Sequence, residues 1–234
     1  MRVRVGTSGY NFPEWKGTFY PEKIKPPEML PYYAGRLSTV EINYTFYRMP
    51  NAKTVAGWNT AVPDGFTFVL KAPQRITHIA RLRDVDDPLR YFTETIRPLG
   101  AKLGPILVQL PPNFKQDLAR LKDFLTLFPA DLRCAFEFRH ASWFADDTYA
   151  ALRGANAALC VADTEVGHTP LVATADFGYF RLRDEGYKKK DLETWAASVK
   201  DLGTAWKDAF VFFKHEESGE GSKLAEKFVG LVAP

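Results

Sequence analysis

Apolar and polar positions along this chain sort into short strand-like runs separated by helix-like stripes. The strand-like runs are Arg2 to Gly6, Thr39 to Ile42, Phe66 to Leu70, Ile106 to Leu110, Cys134 to Phe138, Leu159 to Ala162, Tyr179 to Leu182 and Phe210 to Phe213. Between several of them the period changes from two to 3.6. Leu118, Leu121, Leu125 and Phe128 share one helical stripe that ends at Pro129, and Leu89, Phe92, Ile96 and Leu99 form another that Pro98 should kink. Further helices are expected at Asp146 to Arg153 ahead of Gly154, at Asp191 to Leu202, and at Ser222 to Val232. Strands that alternate with helices pair in parallel through crossovers. Eight such units over residues 1–234 predict a single α/β domain, a small (β/α)8 TIM-barrel-like fold with irregular later units. A doubly wound open sheet is the alternative, and its best support is Glu165 to Phe177, which reads as loop where a helix is due.

Composition agrees with one substantial core: the 234 residues are 46% hydrophobic and 25% charged. A net charge of +3 lacks the broad basic footprint of duplex DNA binding, and Lys188 to Lys190 reads as the solvated start of a helix. No apolar run has the length of a signal peptide or a membrane span, so a cytoplasmic protein with no membrane partner is expected. In that compartment Cys134 and Cys160, both inside apolar strands, stay as buried thiols.

The segment AFEFRHASW, Ala135 to Trp143, changes the picture, because it places charges on a strand that its neighbours mark as buried on both faces. In a barrel, alternate side chains enter the lumen, and those near the carboxyl ends of the strands form the ligand site. By that parity Glu137, Arg139, Glu41, Asn43, Lys71 and Gln109 point inward. Polar tips recur on the other strands: Thr7 and Ser8, Asp163, Arg181 and Arg183, Lys214 and His215. So many polar residues at one end exceed what a packed core needs, since a buried unpaired charge is costly. Equally, Glu137 and Arg139 could neutralise each other in a structural plug, and Asp163 could cap a turn.

Two chemistries use these residue types. Glu41 and Glu137 could divide the acid and base roles of a glycosidase-like site, with Tyr10, Trp15, Tyr44 or Trp143 stacking on sugar faces. Metal-assisted phosphoester hydrolysis could draw a divalent cation to Glu41, Glu137, His140, Asp163 and His215, with Lys71, Arg139 or Arg181 opposite the developing charge. No spacing here matches a metal motif, so the cofactor is left unknown. His78 and His168 fall in loops. After the eighth strand, Gly219, Gly221 and Ser222 open a helix whose free N–H groups could hold a phosphate, with Arg181, Arg183 and Lys214 as countercharge, although Glu216, Glu217 and Glu220 oppose it. QLPPNF stiffens the exit of the fourth strand and could present Gln109 and Asn113, and the rings of NYTFYR could wall a cleft or stack on bases of a single-stranded nucleic acid.

The segments GTSGY, KGTFYP, TVEINYTFYRMP, KLGPILVQLPPNF and FEFRHASWF closely resemble the YecE-like family, the domain of unknown function numbered 72. They cover roughly the first two thirds of the chain. The resemblance implies a TIM-barrel-like fold and no established reaction. The last third departs from the pattern. Arg183 and Asp184 stand where many members look to have a His-Gly step, and Lys214 and His215 stand where many have paired asparagines. The expected function is a hydrolase or lyase in which Glu137, Glu41 and His140 are catalytic. Lys71, Arg139, Asn43, Gln109, Asp163, Arg181, Tyr44 and Trp143 are expected to bind a small anionic or phosphorylated ligand. The alternative is a noncatalytic binder of nucleic acid or of a protein partner.

Overall fold

A computed structural model describes residues 1–164, 167–214 and 219–233. Eight parallel strands follow in chain order: β1 (Arg2–Thr7), β2 (Thr39–Ile42), β3 (Thr67–Lys71), β4 (Leu103–Gln109), β5 (Cys134–Glu137), β6 (Ala158–Thr164), β7 (Phe177–Leu182) and β8 (Asp208–Phe213). Each pairs with the next, and β8 pairs with β1 over six residues, from Arg2 beside Asp208 to Thr7 beside Phe213. The sheet is therefore a closed barrel and not the open alternative.

Parity along the strands divides the core in two. Val69, Leu107, Ala135, Ala158, Cys160, Phe177, Tyr179, Phe210 and Phe212 fill the lumen as one buried cluster. The alternate residues, among them Val40, Phe68, Val108, Phe136 and Val211, pack outward against the helices. The amino-terminal end of the lumen is closed by charge. Asp208 accepts from Arg133 at 3.2 Å and lies 3.8 Å from Arg4, and the Arg133 guanidinium sits 5.2 Å from the ring centres of Phe177 and Phe210. Cys134 and Cys160 are buried free thiols, and burial pushes the Cys134 thiol up to about 12.

Seven helices of nine residues or more cover the strands among the described residues: α1 (Pro26–Ala34), α2 (Ala52–Ala61), α3 (Asp86–Ile96), α4 (Leu118–Leu127), α5 (Asp146–Gly154), α6 (Lys189–Leu202) and α7 (Glu220–Val232). Two of these, α1 and α2, escape the periodicity reading. The sequence PPEMLPYYA carries three prolines, but two occupy the first turn, where a missing N–H costs no hydrogen bond. In α2 only Val55 and Trp58 are buried, too sparse a stripe to show in sequence. Pro98 ends α3 rather than kinking it: the chain passes at Arg97 into a 3₁₀ segment and reverses at Gly100, whose φ is 55°. Among the described residues the sixth crossover has no helix. Gly167 and His168 instead pair antiparallel with the end of β6, in keeping with the loop expected there, while Glu165 lies outside the described residues.

One close approach sets the rim of the barrel. At Gly6 a Cβ would sit 2.0 Å from the Thr39 carbonyl oxygen, so only glycine lets β1 run this near β2. The Tyr33 hydroxyl, supplied by α1, accepts from the Thr7 N–H and donates to the Thr39 carbonyl, each at 2.9 Å. The Thr7 hydroxyl bonds the Gly9 carbonyl at 2.6 Å. These bonds fix the turn that carries Ser8.

Candidate functional site

The carboxyl ends of β2, β3, β4, β5 and β7 deliver Glu41, Lys71, Gln109, Glu137 and Arg181 as one buried polar layer above the apolar lumen. Arg181 is its centre. It is 2% exposed, with Nη2 donating to Glu41 Oε1 at 2.8 Å and Nη1 to Glu137 Oε2 at 2.5 Å. Glu41 is completed by the Tyr179 hydroxyl, which donates to Oε2 at 2.6 Å. Glu137 Oε2 also accepts from Gln109 Nε2 at 2.9 Å, and its Oε1 lies 3.2 Å from both Arg139 Nε and Arg183 Nη2.

This arrangement decides what the two carboxylates can do. Burial alone would raise the pKa of Glu137, but Arg181, then Arg183 and Arg139, outweigh it and hold the carboxyl below the usual carboxylate range. A carboxylate held ionised and bonded on both oxygens is a poor proton carrier. The expected division of acid and base work between Glu41 and Glu137 also needs a substrate bond between them, and the Arg181 guanidinium occupies that space. The geometry opposes that reading: Glu137 is a hub that orients three arginines.

Above the layer opens a cavity of about 520 Å³ whose lining includes Ser8, Tyr10, Asn43, Tyr44, Tyr47, Trp58, Lys71, Gln109, Arg139, Arg181 and Lys214. Lys71 holds its ammonium 3.9 Å from the centre of the Phe46 ring. Burial, and then the charge of Arg181, lower its pKa to about 8. Three buried polar atoms on lining residues, Ser8 Oγ, Asn43 Oδ1 and Arg181 Nε, have no hydrogen-bond partner among the described residues, and Asn43 Nδ2 donates to the Ser8 carbonyl at 3.3 Å. Tyr44 and Tyr47 stand exposed at the rim. Arg139 and Lys214 also line a second, more open cavity of about 850 Å³ beside Arg183 and His168.

Several expected site residues lie elsewhere. His140 caps a short 3₁₀ turn, Ala141–Trp143, where its Nδ1 accepts from the Ser142 N–H at 3.2 Å; it lines neither cavity. Replacement by alanine should cost about 1 kcal/mol of stability, a capping effect, and leave ligand responses unchanged in a thermal-shift titration. Trp143 is fully buried, stacked 4.7 Å from Phe138, with Nε1 donating to the Phe114 carbonyl, so neither ring face is open to a ligand. Trp15 is likewise core. Asp163 shares the outward parity of Leu159 and Val161 and accepts from the Tyr187 hydroxyl at 2.5 Å and from Trp195 Nε1 at 3.2 Å, outside the lumen. Asn113 accepts from Arg81 on the surface. His78 stands edge-on to Phe46, and His168 lines the second cavity.

The glycine-rich start of α7 is closed as a phosphate site. The Ser222 hydroxyl donates to the Gly219 carbonyl at 2.8 Å, Gly221 and Ser222 are buried, and Gly219 packs on Thr18, leaving no room for even a Cβ. Of that group only Lys214 reaches a cavity. His215, Glu216 and Glu217 lie outside the described residues. Among the described residues no three of His, Cys, Asp and Glu converge as metal ligands; Glu41 and Glu137 are bonded to arginine, and His140 and Asp163 are held by other partners. Lys188 caps α6, and Lys189 and Lys190 are exposed in its first turn, as expected.

Of the residues at the cavity, sequence marks Ser8 only as a polar strand tip and Phe46 only as one ring of NYTFYR, and it does not mark Trp58 at all. Trp58 arrives on the unrecognised α2, while Phe46 is one of four aromatic or hydroxyl residues in the helical turn Tyr44–Tyr47, with nothing local to mark it as the platform for Lys71.

Residues 4–234 match the family model described as "Protein of unknown function DUF72". The UPF0759 protein YecE of Escherichia coli (strain K12) is 35% identical over 114 residues, covering 48% of this chain and 42% of that protein, so the match spans less than half of the relative's length. The UPF0759 protein YunF of Bacillus subtilis (strain 168) is 24% identical over 270 residues, covering 98% of this chain and 94% of that protein. A crystal structure of a DUF72 family protein from Thermotoga maritima superposes with a TM-score of 0.88 at 29% identity over the whole of both chains. The closed barrel, the motifs that gather Glu41, Gln109 and Glu137 at its carboxyl end, and these matches give one answer: the chain belongs to the DUF72 family.

Proposed function

We propose that the protein is a cytoplasmic enzyme of the lyase or hydrolase type that takes a small anionic, phosphorylated ligand into the cavity ringed by Lys71, Arg139, Arg181 and Lys214. The observation that carries this reading is the unsatisfied buried hydroxyl of Ser8, on a residue lining a cavity rich in cations. A buried hydroxyl without a partner is costly, and a bound oxyanion would satisfy it. The arginines are already oriented by Glu137, so little ordering remains to be done on binding.

A thermal-shift titration with small phosphorylated and carboxylated compounds tests the reading. Ser8→Ala should leave the unliganded melting temperature unchanged or slightly higher, because no protein hydrogen bond is lost. The same change should weaken the ligand that stabilises the wild type, and Arg139→Ala should weaken it roughly tenfold. Equal responses from all three proteins would place the ligand elsewhere.

A second reading, noncatalytic binding of a single-stranded nucleic-acid end, draws on Tyr44 and Tyr47, since Tyr47 is 73% exposed at the cavity rim and free to stack on a base. Stabilisation by short oligonucleotides, abolished by Tyr47→Ala and not matched by any small phosphate compound, would favour it. Among the described residues no helix is long and apolar enough to cross a membrane.

A further inference from the structure

Lys71 differs in kind from the arginines at this end of the barrel. Arg139, Arg181 and Arg183 each face a carboxylate within 3.2 Å. Lys71 has no carboxylate partner among the described residues, and its ammonium rests on the face of Phe46. Its position is nonetheless fixed. As the last residue of β3 it shares the inward parity of Val69, and its carbonyl accepts from the Thr45 hydroxyl at 2.6 Å, which pins the strand end to the turn carrying Phe46.

An arginine in this place would serve anion binding as well, and would keep its charge at every accessible pH. A lysine adds one capability, which is to lose its proton and attack. With its pKa lowered to about 8, roughly a quarter of Lys71 is the free amine at pH 7.5, against about one part in a thousand for an ordinary lysine. Burial and a neighbouring cation, here Arg181, are the means by which lysine nucleophiles are activated.

We propose that Lys71 forms a Schiff base with the carbonyl group of the bound anion, so that the ligand is a phosphorylated or carboxylated aldehyde or ketone. The proposal rests on the anion-binding reading of the cavity and names its substrate class. The amine lone pair adds to the carbonyl carbon, forming the C–N bond while the oxygen takes up a proton. The resulting carbinolamine then loses that oxygen as water, both amine hydrogens leave in the overall exchange of C=O for C=N, and the imine nitrogen takes up one proton from solvent. No oxidant or reductant enters. The protonated imine withdraws electrons from the adjacent carbon, as carbon–carbon cleavage or proton abstraction beside a carbonyl requires. Arg139 and the Ser8 hydroxyl would hold the anionic group in the same cavity.

Trapping tests this on the full chain. The protein is incubated with glyceraldehyde 3-phosphate and sodium cyanoborohydride, which reduces imines in preference to aldehydes, and modified lysines are mapped by peptide mass spectrometry. Lys71 should be labelled at least tenfold faster than exposed lysines such as Lys122 and Lys200. Its rate should rise through a midpoint near pH 8, and inorganic phosphate should slow it. Lys71→Arg should lose the label at that site while its melting temperature still rises with inorganic phosphate. If phosphate stabilises the protein but Lys71 is labelled no faster than the surface lysines, the anion site stands and the Schiff base is overturned. If uncharged glyceraldehyde labels Lys71 as fast as the phosphorylated compound and phosphate has no effect, the anionic substrate class is overturned along with the reading it rests on.

Discussion

Glu137→Gln should lower the stability of the protein by about 3–5 kcal/mol at neutral pH, because it removes the negative charge on which three arginines converge. The amide keeps the shape of the carboxyl group but must present an N–H₂ to donors on one side. Arg181 is 2% exposed, so water cannot replace the lost partner. Glu41 would still hold one edge of Arg181, which keeps the loss below complete unfolding. The pH dependence follows from the direction of the shift. The folded-state pKa of Glu137 is depressed, so its contribution is fully present above the usual carboxylate range and disappears only as pH falls through the depressed folded value. Chemical denaturation of the two proteins between pH 3 and pH 8 should show the gap constant through neutral pH and beginning to narrow only at the acid end of that range. A variant as stable as the wild type, inactive toward a ligand it still binds, would restore Glu137 as a proton carrier.

Lys71→Met should do the opposite and stabilise the unliganded protein by on the order of 2 kcal/mol at pH 7. The lowering from 10.5 to about 8 corresponds to a penalty of about 3 kcal/mol for holding the ammonium in its buried place, and losing the contact with Phe46 returns about 1 of that. The sign again fixes the window. Below pH 8 both folded and unfolded chains carry the charged lysine and the penalty is complete. Between pH 8 and 10.5 the folded chain sheds its proton first, so wild-type stability rises relative to the variant and the gap narrows. Such a trade of stability for function belongs to binding and catalytic sites. If Lys71→Met destabilises the protein at pH 7, the lysine is a structural prop and its amine is not poised for chemistry.

The barrel was legible in sequence because a parallel strand buried on both faces leaves a run of apolar residues, and eight such runs with helical stripes between them admit few topologies. Parity alone also placed Glu41, Lys71, Gln109, Glu137 and Arg139 at one end of the lumen. Parity applied to β6 would have moved Asp163 outside as well, since Leu159, Val161 and Asp163 alternate with Ala158, Cys160 and Ala162. How the polar residues pair was beyond reach. Arg181 meets Glu41 across 140 positions of sequence and Glu137 across 44, and the saturation of both carboxylates exists only once the barrel has closed. Local chemistry misled in the other direction. His140 and Trp143 sit beside the charged strand in sequence, yet a capping bond and an indole stack turn both away from the cavity. The same holds for Ser222, whose hydroxyl closes its own helical turn.

The account stands on the cavity being an anion site, and calorimetric titration of the wild type with glyceraldehyde 3-phosphate and with glyceraldehyde, in parallel with Arg139→Ala, tests that most directly. The phosphorylated compound should bind the wild type at least tenfold more tightly than its uncharged counterpart, and the difference should shrink in the variant. Equal affinities for the two compounds, or an unchanged preference in Arg139→Ala, would contradict it.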